Sequence, residues 1–383
     1  MQRIHKNTIY LIGCFLISSL NGNSQVLNKK RAALIDSNAT KETQALFTHL
    51  FEIEKNHILV GQHDATMYGH TWSGDDNRSD MKDVCGSHPA LIGFDFALIT
   101  NKPSAMTQNR SELLLRRMIE TYNRGAVITM CWHTDNPFNG ETAWVDTTKT
   151  VVNTVKELLP GGKAHEAYKE KLKLIAQVAL SAKGADGKLI PIIFRPFHEM
   201  EGGWFWWGRP YRTPEEFKAL WQFTIEYLRD RLEVHNFLYA FSTDCKFKTR
   251  DEYLIDYPGD KYVDVLGMDD YWDFRPDGAN NPTLAGEKIK IVSDLAQEKG
   301  KLAAMTETGL ESIPDSIWFT GKLLPVLRYK DAKLAYVMLW RNDNHMKNHF
   351  YGPFPGQISV PDFLKFYNDE YTLFEKDLKN LYK

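Results

Sequence analysis

The stretch Leu189-Ile190-Pro191-Ile192-Ile193-Phe194-Arg195-Pro196-Phe197-His198-Glu199 runs an apolar segment directly into ionisable groups. A segment with no polar alternation is buried on both faces, as in a parallel sheet covered by helices. Arg, His and Glu together would be costly inside a core, so they belong where the strand opens onto a site. The same pattern recurs along the chain at Ile58–His63, Ala90–Asp95, Ala126–His133, Phe237–Ser242, Val263–Asp269, Leu302–Glu307 and Tyr336–Arg341. Each run is short, apolar and closed by polar or ionisable residues.

Helical spacing separates these runs. Thr213 stands as N-cap before Pro214, with Glu216 in the third helical position, which completes a capping box. Apolar residues then recur at Phe217, Leu220, Trp221, Ile225, Tyr227 and Leu228. Similar spacing predicts helices near residues 42–56, 110–123, 164–182, 284–298 and 317–327. Eight strands with intervening helices predict an α/β fold, a (β/α)8 TIM barrel in a single domain. An open doubly wound sheet is the competing architecture. It is disfavoured because no GxGxxG or P-loop pattern follows the first run.

Composition agrees with a soluble globular chain. The 383 residues hold 47 Lys+Arg and 49 Asp+Glu, a net charge of −2, and 43% hydrophobic residues. A strongly basic nucleic-acid binder and an acidic disordered chain are both excluded by that balance. Ten Trp, 17 Tyr and 21 Phe make it rich in flat side chains, which serve sugar-binding clefts and large cores alike.

The N-terminus reads as a secretory signal peptide over residues 1–24, leaving 25–383 as the catalytic domain. Arg3 and Lys6 precede an apolar stretch from Ile9 to Leu20, and small or polar residues follow through Ser24. The stretch is too short for a comfortable membrane span. The protein is therefore expected to be exported to the periplasm or beyond, without stable membrane insertion. Leu11-Ile12-Gly13-Cys14 resembles a lipoprotein box, although the apolar run continues past it, so a lipid anchor is the weaker alternative. The other cysteines, Cys85, Cys131 and Cys245, show no zinc-ligand spacing, and Cys131 reads as a buried thiol.

In a barrel of this class the active site lies at the C-terminal ends of the strands. His63, Asp64, Asp95, His133, Arg195, His198, Glu199, Asp244, Asp269, Tyr271, Glu307, Trp340 and Arg341 all fall there. Glu199 and Glu307 end strands four and seven, which face each other across a barrel. Two opposed carboxylates suit glycoside hydrolysis, one as acid and one as nucleophile or base. The acid must stay protonated near neutral pH, and the aromatic run Trp204-Phe205-Trp206-Trp207 can provide the apolar surroundings. Core packing is the alternative reading of Trp206 and Trp207. Glu201 and Glu311 are rival carboxylates, each expected to be solvated.

Arg195-Pro196-Phe197-His198-Glu199-Met200 with Trp204-Phe205-Trp206-Trp207-Gly208 closely resembles the acid/base segment of glycoside hydrolase family 26, the β-mannanases. Gly61-Gln62-His63, Trp132-His133, Asp269-Asp270-Tyr271-Trp272, Thr306-Glu307-Thr308-Gly309, Trp340-Arg341-Asn342 and His349–Gly356 fall in the family's order. The resemblance implies a retaining hydrolase of β-1,4-mannan that works without metal or cofactor, as a monomer. It implies Glu199 as acid/base and Glu307 as nucleophile. His198 would orient the acid/base, and His133, Trp204 and Tyr271 would line the subsite of the cleaved mannose. Tyr271 would also bond the nucleophile, Trp340 would underlie that sugar, and Arg341 would bind the next mannose toward the non-reducing end. Asp269 reads as a support residue, and Arg341 could instead pair with Asp343 or Asp269.

Other readings stay open at this point. A metal-dependent hydrolase could gather His63, His133 and His198, but the usual His-x-His after the first strand is absent. A non-catalytic sugar-binding barrel would usually lack one of the two carboxylates. Within the family, β-1,3-xylan or mixed-linkage glucan is the alternative substrate. The loops after strands two (residues 98–105) and eight (residues 344–356) would decide between internal cleavage and release of mannobiose from an end.

Overall fold

The computed structural model describes residues 33–103 and 108–383. The expected signal peptide, with Cys14, lies outside the described residues. Eight strands form one closed parallel barrel: β1 (Ile58–His63), β2 (Leu91–Asp95), β3 (Val127–Trp132), β4 (Ile192–Pro196), β5 (Phe237–Asp244), β6 (Val265–Asp270), β7 (Leu302–Thr308) and β8 (Tyr336–Leu339). Each pairs with its neighbour in sequence, and β8 returns to pair with β1 through Leu59↔Tyr336 and Gln62↔Leu339. A short β9 (Thr372–Leu373) adds to β1 through Ile58↔Thr372.

Side-chain alternation divides the strands between two cores. Leu59, Leu91, Val127, Ile193, Leu238, Val265, Leu302 and Tyr336 fill the barrel. Their neighbours one residue on, such as Val60, Ile92, Ile128, Phe194, Tyr239, Leu266 and Val337, pack against the helices. Helix α1 (Lys41–Ile53) closes the N-terminal end of the barrel with Leu46, Phe47 and Leu50. Continuing the interior register toward the C-terminal end brings His63, Asp95, Cys131, Arg195 and Asp269 inward. Gly93 belongs to this layer because a Cβ there would stand 3.1 Å from both His63 and Met338.

The helices fall where spacing places them, with local differences set by proline. Helix α4 (Pro214–Glu226) follows α2 (Gln108–Asn123) and α3 (His165–Ser181), and its capping box between Thr213 and Glu216 is present. The expected helix over residues 317–327 is instead a π turn at Phe319–Leu323 running into a short helix at Leu324–Leu327. Pro325 has no N–H to give to the carbonyl four residues back, which favours the wider turn. The fourth strand starts at Ile192 rather than Leu189, because Pro191 cannot donate to the ladder. No helix among the described residues is long and apolar enough to cross a membrane. Cys85, Cys131 and Cys245 are free thiols.

Candidate active site

Glu199 and Glu307 meet over the C-terminal mouth of the barrel. One oxygen from each, together with one from Asp269, lie within 4.8 Å of one another. Glu307 reaches the centre through an irregularity in β7. Met268 pairs with Met305 but Asp269 pairs with Glu307, so Thr306 is an extra residue in the ladder. The register on the β8 side shifts at the same place, Val337 pairing with Met305 and Leu339 with Thr308. A bulge of this kind re-aims the side chain that follows it.

Arg195 clamps the Glu307 side of the site. It is 2% exposed and projects inward from β4. One guanidinium nitrogen donates to Asp269 Oδ2 at 2.7 Å and the other pairs with Glu307 Oε1. Thr306 Oγ1 donates to Asp269 Oδ1 at 2.6 Å, so Asp269 supports the site and faces no solvent. The remaining Glu307 oxygen accepts from Tyr271 Oη at 2.9 Å. A buried carboxylate with these two donors, one on each oxygen, is fixed in place.

Glu199 sits in a different environment. Burial, and then the charges of Asp269, Glu307 and Asp244, push its carboxyl well above the usual range, while the indole N–H of Trp204 opposes them. Trp204 Nε1 donates to Glu199 Oε2 at 2.7 Å. One carboxylate clamped by an arginine and a neighbour biased toward protonation thus stand in unlike environments.

The turn that presents Glu199 is strained. Phe197 (φ 51°) and Glu199 (φ 53°) both adopt the left-handed region without being glycine. Several bonds hold the turn: Glu199 N–H to Ser242 O at 3.1 Å, Trp207 Nε1 to His198 O at 2.8 Å, and Arg209 N–H to Met200 O at 2.7 Å. Trp206 and Trp207 are therefore core residues, buried, with Trp206 Nε1 donating to Thr134 O at 3.0 Å. Trp204, half-buried, is the tryptophan that faces the site.

The histidines line one wall. His133 Nδ1 lies 2.7 Å from Asp95 Oδ2. Burial alone would raise the Asp95 carboxyl, but the charge and hydrogen bond of His133 overcome it and hold it at about 2. His198 meets His133 edge-on at 4.6 Å, and burial, with Arg195 and His133 nearby, holds it neutral. Its Nδ1 has no hydrogen-bond partner, and the bond to Glu199 comes from Trp204 instead. Trp340 lies over His63 at 4.5 Å and against His133 at 6.0 Å, half-buried at the mouth. Arg341 pairs with Asp343, and its guanidinium lies 5.9 Å from the ring of Tyr68, whose hydroxyl donates to Asp64 at 2.5 Å.

Of the rival carboxylates, Glu311 is exposed and bonds His349 at 2.7 Å. Glu201 is not solvated as expected: one of its oxygens is buried without a partner, and burial followed by the Asp244 charge pushes it up to about 8.

The profile of Glycosyl hydrolase family 26 matches residues 35–373. The chain belongs to glycosyl hydrolase family 26. Among solved structures, a family 26 β-mannanase from Bacteroides ovatus is 40% identical with a TM-score of 0.82, covering 90% of this chain and 98% of that one. The GH26C protein of a Muricauda species superposes with a TM-score of 0.86 at 38% identity, covering 93% of this chain and 97% of that one. A mannan endo-1,4-beta-mannosidase of Bifidobacterium adolescentis is 35% identical over 91% of this chain. The chain spans 35% of that relative's length.

Several parts of this family 26 site carry no individual mark in sequence. Strand position alone sets Arg195 at the mouth without a task, yet an arginine at the end of an apolar strand can be buried only beside carboxylates, and that rule pairs it. Gln62 and Asn342, within motifs shared with the family, are structural. Asn342 Oδ1 accepts from Gln62 Nε2 at 3.1 Å, from Tyr351 N–H at 3.0 Å and from Gly352 N–H at 2.9 Å, while its amide donates to Asp80 at 2.7 Å. Gly352 is required there, since a Cβ would stand 2.4 Å from Gln62 Nε2.

Proposed function

We propose that this chain is a retaining endo-β-1,4-mannanase that cleaves mannan and galactomannan to manno-oligosaccharides such as mannobiose. The observation that carries the reading is the pair of unequal carboxylates, with oxygens within 4.8 Å of each other. Retaining enzymes hold their carboxyls roughly 5–5.5 Å apart and inverting enzymes roughly 6.5–9.5 Å. In this reading Glu307 attacks the anomeric carbon while Arg195 and Tyr271 fix its oxygens. The bond to the leaving oxygen breaks as Glu199 gives that oxygen its proton. Glu199, now ionised, takes a proton from water, whose oxygen displaces Glu307.

The remaining roles follow from position. Trp340 serves as platform for the sugar at the cleavage point, with His133, Trp204 and Tyr271 around it and His198 behind His133. Arg341 binds the next mannose toward the non-reducing end. Mannan is favoured over β-1,3-xylan or mixed-linkage glucan by the mannanase relatives. The first 24 residues act as an export signal, and the enzyme works as a monomer in the periplasm or outside the cell. Proton NMR of the first product from mannotetraose tests the core of this reading. The β anomer should form first, and initial release of the α anomer would overturn it. Product profiles on mannan, galactomannan and mannotetraose then distinguish internal cleavage from release of mannobiose.

A further inference from the structure

Beside the two carboxylates lies a second set of donors that the hydrolytic cycle does not use as a set. Asp95 ends β2 and pairs in register with Cys131 of β3, and His133 follows on the same face. Oxygen, sulfur and nitrogen atoms from these residues lie within 4.8 Å of one another. Cys131 Sγ is 3.6 Å from His133 Nδ1, which in turn is 2.7 Å from Asp95 Oδ2. On its other side Cys131 Sγ is 3.2 Å from His63 Nε2. With zinc–sulfur bonds of about 2.3 Å and zinc–nitrogen bonds of about 2.0–2.1 Å, a tetrahedral site has a sulfur–nitrogen edge of about 3.6 Å. The Cys131–His133 separation already has that length. The Asp95–His133 hydrogen bond has to open, to roughly 3.4 Å by the same geometry, and the Asp95–Cys131 edge, within 4.8 Å, has to settle at about 3.6 Å.

We propose that Asp95, Cys131 and His133 form an inhibitory site for a thiophilic divalent cation, of which zinc is the representative, in the wall of the catalytic cleft. The side chains of His133 and Asp95 are 19% and 17% exposed, so the ion enters from the cleft. Oxygen, nitrogen and thiolate together suit zinc and exclude calcium or magnesium, which take oxygen alone. Burial and the Asp95 carboxylate hold the free thiol protonated, so the ion must displace a proton. The S–H bond breaks as the zinc–sulfur bond forms, and the proton leaves to bulk water through the cleft. Coordination withdraws His133 from the subsite and places a bound cation beside it, which stops turnover.

Two measurements on the whole enzyme test the proposal. Cobalt(II) added to the wild type should give the intense near-ultraviolet sulfur-to-cobalt band of a thiolate ligand, and Cys131→Ser should lose it. This readout does not depend on the proposed mannanase activity. Zinc should inhibit mannan hydrolysis, EDTA should restore it, and the zinc concentration for half-inhibition should rise about 10–100-fold in Cys131→Ser, the range typical of weakened metal sites. A folded wild type without the cobalt band overturns the site, as does a band that survives in Cys131→Ser. Equal zinc sensitivity in wild type and variant overturns the inhibitory role. If Cys131→Ser does not fold, the cobalt spectrum of the wild type alone still decides whether a thiolate binds.

Discussion

Replacing Trp204 with Phe removes one hydrogen bond to the proposed acid and leaves an aromatic ring in its place. Trp204 Nε1 donates to Glu199 Oε2 at 2.7 Å. An N–H can only donate, so it favours the ionised carboxylate and holds the Glu199 pKa below the level that burial and the neighbouring carboxylates would set. A hydrogen bond to a charged group contributes roughly 1.5–3 kcal/mol. At about 1.36 kcal/mol per pKa unit, the upper limit on the shift is roughly one to two units. Trp204 is half-buried, and water entering the gap would replace part of the bond, so the expected rise is about one unit, the lower end of that range. Glu199 must be protonated for glycosylation, so the alkaline limb of kcat/KM on manno-oligosaccharides should move up by about one pH unit. The plateau should fall, because a weaker acid protonates the leaving oxygen less readily. An aryl mannobioside with a dinitrophenolate leaving group needs no proton, and its alkaline limb should not move. An alkaline limb for Trp204→Phe that stays in place or moves down on manno-oligosaccharides would refute the reasoning.

Glu307→Ala should abolish cleavage of every substrate, whereas Glu199→Ala should still glycosylate with activated aryl substrates and be rescued by azide; like behaviour of the two would reverse the assignment. Arg341→Ala should lower kcat/KM on mannotriose and longer chains about ten- to a hundredfold, from the loss of roughly 1.5–3 kcal/mol of charge-assisted bonding. Its melting temperature should change little, because the partly exposed pair with Asp343 contributes on the order of 1 kcal/mol at most; a clear loss of stability with kcat/KM intact would return Arg341 to a structural task. Glu54, at the end of α1, has one buried oxygen without a partner, and burial pushes it up to about 8. The folded state thus holds a proton that the unfolded chain releases near pH 4.5, so Glu54 costs stability progressively as pH rises from there to about 8. Thermal melts should show Glu54→Gln equal to wild type near pH 4 and more stable at pH 9, and a constant difference across that range would exclude the titration.

The barrel was legible because its evidence is repeated. Eight apolar runs, each closed by ionisable residues, state strand, burial and site together, and the interior register that holds Leu59 and Leu91 extends to His63 and Asp95. Glu199 and Glu307 could be found because carboxylates at strand ends are conspicuous. What joins them could not. Glu307 points inward through an extra residue at Thr306, and a bulge has no compositional mark in a run such as Leu302–Thr308. Trp204, Trp206 and Trp207 look alike in sequence, yet two of them peg the turn to carbonyls and the third bonds the acid. The hairpin of Tyr68–Gly69 with Trp72–Ser73 is too short for any periodicity. Tyr68 therefore went unnoticed beside Asp64 and Arg341, although its ring lies 4.1 Å from the Arg110 guanidinium as well.

Asn342 lies 280 residues from Gln62 along the chain and clasps it across the line where β8 meets β1. Trp340, the proposed sugar platform, stands on that line, two residues before the clasp. During synthesis the first strand must wait for 280 further residues before this contact can form. Closing so long a loop carries an entropic cost with no local reward along the way, and contacts of such high sequence separation form late. The proposed catalytic groups, Glu199 just beyond β4 and Glu307 on β7, can assemble earlier, but the proposed sugar platform is finished later. A nascent chain that ends before β8 would thus hold both carboxylates and still lack Trp340, the proposed floor for the substrate.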